Sequence, residues 1–183
     1  MYQCNVRFYI VGLKESGVKE IIMSMPPMEN FSHYFVEGDT ADKAIAAGSD
    51  VIFAYVGPSG AKKTLSALTR YKGENSELIL FSDETDISDL EEYFEYINDI
   101  WRLPMTESEI RFRFLRWQLN YKTSKDYWEN CQLFDAAINN TPNLVWFKSK
   151  TGIHEKVNDS FCRTVNKTKK QVEGRGHAYI WDV

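Results

Sequence analysis

Apolar residues in the first hundred positions fall into short blocks of two periods. Residues 5–11, NVRFYIV, are rich in β-branched and aromatic side chains and predict a strand. Over residues 14–25, Val18, Ile21, Ile22 and Met25 recur at helical spacing until Pro26-Pro27 end the pattern. Residues 34–36 predict a short strand. Asp39 or Thr40 then stands as the cap of a small Ala-rich helix ending at Gly48. Residues 51–56 predict another buried strand, and residues 61–71 a helix with Leu65 and Leu68 inward and Gly73 as its stop. Residues 78–81 predict a fourth strand. Ser88 and Glu91 have the spacing of a capping box ahead of Leu90, Tyr93, Phe94 and Ile97. Residues 99–103 predict a fifth strand, halted by Pro104. Apolar strands alternating with short helices imply an α/β fold: a parallel sheet covered on both faces, with its functional positions at the C-terminal strand ends.

The pattern then changes period. Thr106 and Glu109 form a second capping box. Behind it Ile110, Phe114, Trp117, Tyr121, Trp128, Cys131 and Ile138 fall on a four–three spacing, interrupted by Ser124 and Asp135. Neither Gly nor Pro occurs between Met105 and Thr141. A single helix of this span would be ~50 Å long. Its first turns suit the sheet, and its later part predicts a parallel pairing with a second copy, making residues 106–138 a dimeric linker. Two ordinary helices broken near Lys122-Thr123-Ser124 are the alternative. After Pro142, residues 144–147 and 153–157 predict a hairpin about the turn Lys150-Thr151-Gly152. Asn158 caps a short helix, and residues 169–172 suit another.

Charge sharpens the division. Residues 1–104 carry 9 Lys and Arg against 17 Asp and Glu, a charge of −8, whereas residues 105–183 carry 13 against 9, or +4. The whole chain, at −4, does not suit a dedicated nucleic-acid binder. Its three cysteines are far apart and odd in number, which argues for a reducing cytoplasmic setting over a disulfide framework or structural zinc. No apolar run has the length of a membrane span. His33, His154 and His177 have no catalytic or metal-ligand spacing.

Candidate chemistry centres on residues 51–64, VIFAYVGPSGAKKT. Gly57, Lys63 and Thr64 fit a phosphate-binding loop, but Lys62 stands where the second glycine belongs, and its side chain would crowd the cradle. The same stretch, taken with the five strand–helix rounds, resembles the response-regulator receiver domain over residues 1–118. That resemblance implies an acidic pair after the first strand, a phospho-accepting Asp ending the third, a hydroxyl ending the fourth and Lys-Pro ending the fifth. Here Gly12 and Leu13 replace the acidic pair. Either Ala54 or Tyr55 takes the acceptor position. Ser82 keeps the hydroxyl, and Leu103-Pro104 keeps the proline without the lysine. Aspartyl phosphorylation needs a carboxylate nucleophile, a carboxylate-held Mg²⁺ and a cation for the phosphoryl oxygens. The resemblance therefore implies a receiver without transfer chemistry. Glu15, Asp83 and Glu84 are candidates to rebuild part of a cation site, and solvated loop acids describe them better. The Leu103–Pro104 bond is open between cis and trans.

Residues 158–175, NDSFCRTVNKTKKQVEGR, resemble the early part of a PAS domain through Asn158, Phe161, Thr168, Gln171, Val172 and Gly174. Only the first part of such a domain is present, so the resemblance implies a fragment of a longer protein. The expected organisation is a receiver-like domain over 1–105, a signalling helix over 106–138 and a partial α+β PAS fold over 139–183. Together they resemble the front end of bacterial GGDEF proteins, which make cyclic di-GMP. The expected role is regulatory, and the segment itself is non-enzymatic and without a cofactor. The ligand of the PAS part is unassigned. Expected partners are a second copy through 106–138 and an output domain in the same polypeptide, with neither nucleic acid nor membrane. The alternatives are a nucleotide-binding domain using Gly57, Lys63 and Thr64, and a pure dimerisation module.

Overall fold

The structure is a computed structural model, described here for residues 3–13, 17–57 and 60–181. It divides into two compact units, Met1–Ser124 and Lys125–Val183.

The first unit is built on a five-stranded parallel sheet. Its strands are β1 (Cys4–Val11), β2 (Phe31–Gly38), β3 (Val51–Tyr55), β4 (Glu77–Ser82) and β5 (Asp99–Arg102), in the spatial order β2-β1-β3-β4-β5. Its helices are α1 (Val18–Ser24), α2 (Lys43–Ala47), α3 (Ala61–Tyr71) and a 3₁₀ helix (Ser88–Tyr96). The run α4 (Glu107–Asn139) contributes residues to both units. Side chains alternate across each strand and so feed two separate cores. On one face Phe8, Ile10, Phe53, Phe81 and Trp101 pack with Val18 and Ile22 of α1 and with Ile110 and Phe114 of α4. On the other, Tyr9, Ile52, Ala54, Leu78 and Leu80 pack with Ala46, Leu65, Leu68 and Leu90. This is the doubly wound α/β arrangement, and the central strands read as continuous apolar runs because both faces are covered.

Three local expectations need correction. The cap of α2 is Asp42, whose carboxylate accepts the Ile45 N–H at 3.0 Å, not Asp39 or Thr40. The buried Tyr9 phenol donates to the Thr40 carbonyl at 2.6 Å and accepts the Asp42 N–H at 3.1 Å, which delays the helix start. Residues 88–96 are 3₁₀, not α, and Ser88 makes no cap; Asp86 accepts its N–H instead. Ile87, Leu90 and Tyr93 recur every third residue on the core side, the period of a 3₁₀ helix. Strand β2 runs well beyond residues 34–36. Residues 107–139 are one helix, whose residues up to Ser124 fall in the first unit and the rest in the second. The Thr106 capping box is formed: Thr106 N–H donates to Glu109 Oε2 at 2.7 Å, and Glu109 N–H donates to Thr106 Oγ1 at 3.3 Å.

The second unit has an antiparallel hairpin of β6 (Trp146–Lys148) and β7 (His154–Val157). The short helices α5 (Asp159–Val165), α6 (Lys169–Val172) and α7 (His177–Trp181) follow, the last of which the sequence pattern did not predict. Val157, Phe161, Val172 and Ile180 form its core. Among the described residues, no helix is long and apolar enough to cross a membrane.

Candidate functional site

The C-terminal strand ends of the first sheet bring the expected positions together. Strand β1 ends at Val11, and Gly12 follows at φ +73°, a conformation that suits glycine. Leu13 then turns into the core and is 2% exposed, so an apolar side chain occupies the place of an acidic pair. Lys14, Glu15 and Ser16 lie outside the described residues, and with them the candidate cation ligand Glu15. Strand β3 ends at Tyr55, the partner of Phe81 in β4. Ala54 is buried within the α2/α3 core, which leaves Tyr55 as the residue at the tip.

Tyr55 reaches across the strand ends. Its phenol donates to Asp83 Oδ2 at 3.1 Å. Gly57 makes room for it, because a Cβ there would lie 3.1 Å from the Tyr55 hydroxyl. Asp83 is exposed and acts as an acceptor for a phenol. Ser82 is buried, and its Oγ accepts the Glu84 N–H at 3.2 Å, so the hydroxyl serves its own turn. Leu103 packs against the α1/α4 core, and the Leu103–Pro104 peptide is cis. Among the described residues, no group of three or more His, Cys, Asp or Glu side chains is arranged to hold a metal ion. The strand tips thus present an aromatic plug and a single phenol–carboxylate bond. Among the described residues, the end of β3 carries a phenol and no carboxylate.

The phosphate-loop residues lie beside this plug. Pro58 and Ser59 are outside the described residues. Gly60 precedes α3 at φ +103°, and Lys62 and Lys63 are exposed on its first turn. Lys62 Nζ is 3.7 Å from Asp89. Thr64 donates its backbone N–H to the Gly60 carbonyl, the first intrahelical bond of α3.

The expected dimer seam is redistributed. Ile110, Phe114, Trp117 and Tyr121 are 1%, 0%, 9% and 5% exposed and complete the α1/α4 core of their own sheet. Trp117 stands 5.0 Å from the rings of both Phe8 and Tyr121, and its Nε1 donates to Glu77 Oε2 at 2.7 Å. A four–three spacing serves sheet packing as well as a coiled coil, and here the sheet takes it. Trp128, at 62% exposed, is the one seam residue left outward.

In the second unit the PAS-like positions carry structure. Asn158 is fully buried and caps α5: its Oδ1 accepts the Phe161 and Val145 N–H groups, and its Nδ2 donates to the Ile138 and Asn143 carbonyls. Phe161 fills the small core. Gly174, at φ +80°, donates its N–H to the His154 carbonyl and closes the chain against β7. Sequence reasoning missed Tyr9 and Asp42; the signal available was a tyrosine inside an otherwise apolar strand, which needs a partner when buried.

No protein-family model matches the chain, and no curated protein does. Among solved structures, NtrX from Brucella abortus in complex with ADP aligns with a TM-score of 0.51 and 16% identity, over 80% of this chain and 32% of that one. A CpaE2 pilus assembly protein from Sinorhizobium meliloti 1021 aligns at 0.45 and 14%, over 60% and 99% of the two chains. CpaE from Caulobacter crescentus CB15 aligns at 0.44 and 10%, over 61% and 92%. The likeness to NtrX carries the fold alone: a mixed α/β, receiver-like architecture on a five-stranded parallel sheet.

Proposed function

We propose that the chain is a regulatory segment of a cytosolic bacterial signalling protein, a receiver-like domain that transmits conformation without accepting phosphate. The carrying observation is Tyr55 at the tip of β3, hydrogen-bonded to Asp83 where a phosphotransfer domain needs a free carboxylate. In this proposal the α4 run links that domain to a PAS-like sensor. The output domain is a cyclic di-GMP synthase of the GGDEF type further along the same polypeptide. Pairing of two copies would use the exposed Tyr127, Trp128 and Leu133 of α4, since Ile110, Phe114, Trp117 and Tyr121 are consumed by the sheet. In this proposal the bond between Tyr55 and Asp83 is the element that a signal would bias.

The test is incubation with acetyl phosphate, and separately with beryllofluoride, each with Mg²⁺. Unchanged intact mass and unchanged melting temperature support the proposal. A gain of one phosphoryl group, or a rise in melting temperature with beryllofluoride, overturns it. For the output domain, the gene read beyond the codon for Val183 decides. A Gly-Gly-Asp/Glu-Glu-Phe motif supports it, and a different catalytic or binding domain replaces it.

A further inference from the structure

Strand β2 forms one edge of the first sheet and pairs only with β1 among the described residues. Its eight residues, FSHYFVEG, carry little of the usual edge protection: no Pro, no Lys and one acid. Tyr34 is 66% exposed, and Phe35 and Val36 are half-buried.

The backbone directions can be read from its ends. The carbonyls of Asn30 and Gly38 both accept from the β1 side, from Cys4 N–H at 2.9 Å and Gly12 N–H at 3.2 Å. Backbone groups alternate along a strand, so the even-numbered positions between them face β1, and His33, Phe35 and Glu37 direct their N–H and C=O groups away from the sheet. Phe31 would join them, but its N–H is already given to the Met28 carbonyl at 3.0 Å.

We propose that β2 pairs antiparallel with β2 of a second copy of this chain, joining two five-stranded sheets across a two-fold axis. Antiparallel strands exchange two hydrogen bonds wherever two outward-facing residues stand opposite one another. The register with Phe35 opposite Phe35 engages all three, because it also sets His33 against Glu37 on both sides of the axis. Sliding the strands so that His33 meets Phe35 instead wastes Glu37 on Phe31, whose N–H is taken. The chosen register is also complementary in side chains. His33, Phe35 and Glu37 share the α1/α4 face, where the Phe35 and His33 rings meet at 4.9 Å with their planes tilted by 54° and Glu37 accepts from Lys19 Nζ at 3.0 Å. An imidazole and a carboxylate thus face each other twice, flanking two packed phenylalanines. On the opposite face Tyr34 covers Val36 of the other copy, which buries the most exposed aromatic of the strand. An edge that complements itself in this way defines an isologous contact. It is independent of any pairing through α4.

The experiment uses the full chain. Amide-resolved hydrogen exchange is measured at low and high chain concentration, alongside sedimentation equilibrium, for the parent and for Phe35→Pro. Proline at an outward N–H removes a bond to the second copy and none to β1. The expected result is a rise of at least about tenfold in protection of the His33, Phe35 and Glu37 amides at high concentration, with an association step that Phe35→Pro abolishes. Three results overturn the proposal: a chain that stays monomeric, those amides exchanging freely in whatever assembly forms, or a protection of those amides that Phe35→Pro in a folded chain leaves unchanged at the neighbouring His33 and Glu37. The parent's exchange decides the matter even if that variant fails to fold.

Discussion

Replacing Trp117 separates two meanings of the same spacing. If the four–three stripe of α4 faced a second copy, Trp117→Ala would release a dimer and leave the fold intact. The structure expects otherwise. The indole is packed among Phe8, Phe31, Phe114 and Tyr121, with ring centroids 5.0 to 6.1 Å away, and its Nε1–H is satisfied by Glu77. Truncating a buried Trp to Ala costs about 3–5 kcal/mol, from lost transfer energy and the cavity left behind. A domain of this size holds roughly 5–15 kcal/mol in total, so the loss is a large share. With a urea slope of about 2 kcal/mol per molar, the midpoint should fall by roughly 2 M at unchanged slope. Trp117→Phe retains most of the ring contacts, forfeits the bond to Glu77 and should cost about 1 kcal/mol. Urea titration of the full chain by far-ultraviolet circular dichroism, with sedimentation in parallel, reads both effects. A Trp117→Ala midpoint within a few tenths of a molar of the parent, together with loss of a dimer, would refute the packing argument.

Other substitutions probe other joints. Gly38→Ala places a Cβ 2.6 Å from the hydroxyl of the buried Tyr9, which Thr40 and Asp42 hold in place. It should cost about 1–3 kcal/mol by denaturation. In a Tyr9→Phe background the penalty should shrink, a non-additivity that a double-mutant cycle measures. Thr106→Ala removes one half of a reciprocal cap and should lower stability by about 1 kcal/mol, visible in the same titration. Burial among Phe8, Phe31, Phe35 and Phe114 pushes the His33 imidazole below its ordinary range. The unfolded chain then binds the proton more readily than the folded one. Stability should be complete above about pH 6.5 and decline as pH falls from there through the lower folded value; His33→Phe should flatten that slope.

The central strands were legible because both their faces are covered, so β1, β3 and β4 appear as apolar runs that need no partner to be recognised. Helix α3 was legible to the residue, since Leu65 and Leu68 repeat at helical spacing between two glycines. Strand β2 was read too short. At an edge, half-burial lets Ser32 and Glu37 into the strand, and the apolar signal shrinks to its middle. The 3₁₀ helix was misread because Ser88 and Glu91 have the spacing of a cap, while the threefold repeat of Ile87, Leu90 and Tyr93 was the better guide. For the candidate site, the residues at the strand tips could be named from sequence. Whether Ala54 or Tyr55 stands at the tip could not, because a one-residue slip in a strand exchanges its two faces. The bond between Tyr55 and Asp83 joins residues from different strands and has no local signature.

Asn158 has a practical bearing on how the molecule is to be dissected. Its one amide holds the chain at Ile138, Asn143, Val145 and Phe161, so the hairpin and its first helix are stitched to the last turn of α4. A recombinant fragment begun at Asn139, where the PAS resemblance suggests cutting, would strip one of those four anchors and leave a buried donor stranded. Cloning boundaries for the C-terminal part belong well upstream, at or before Lys125.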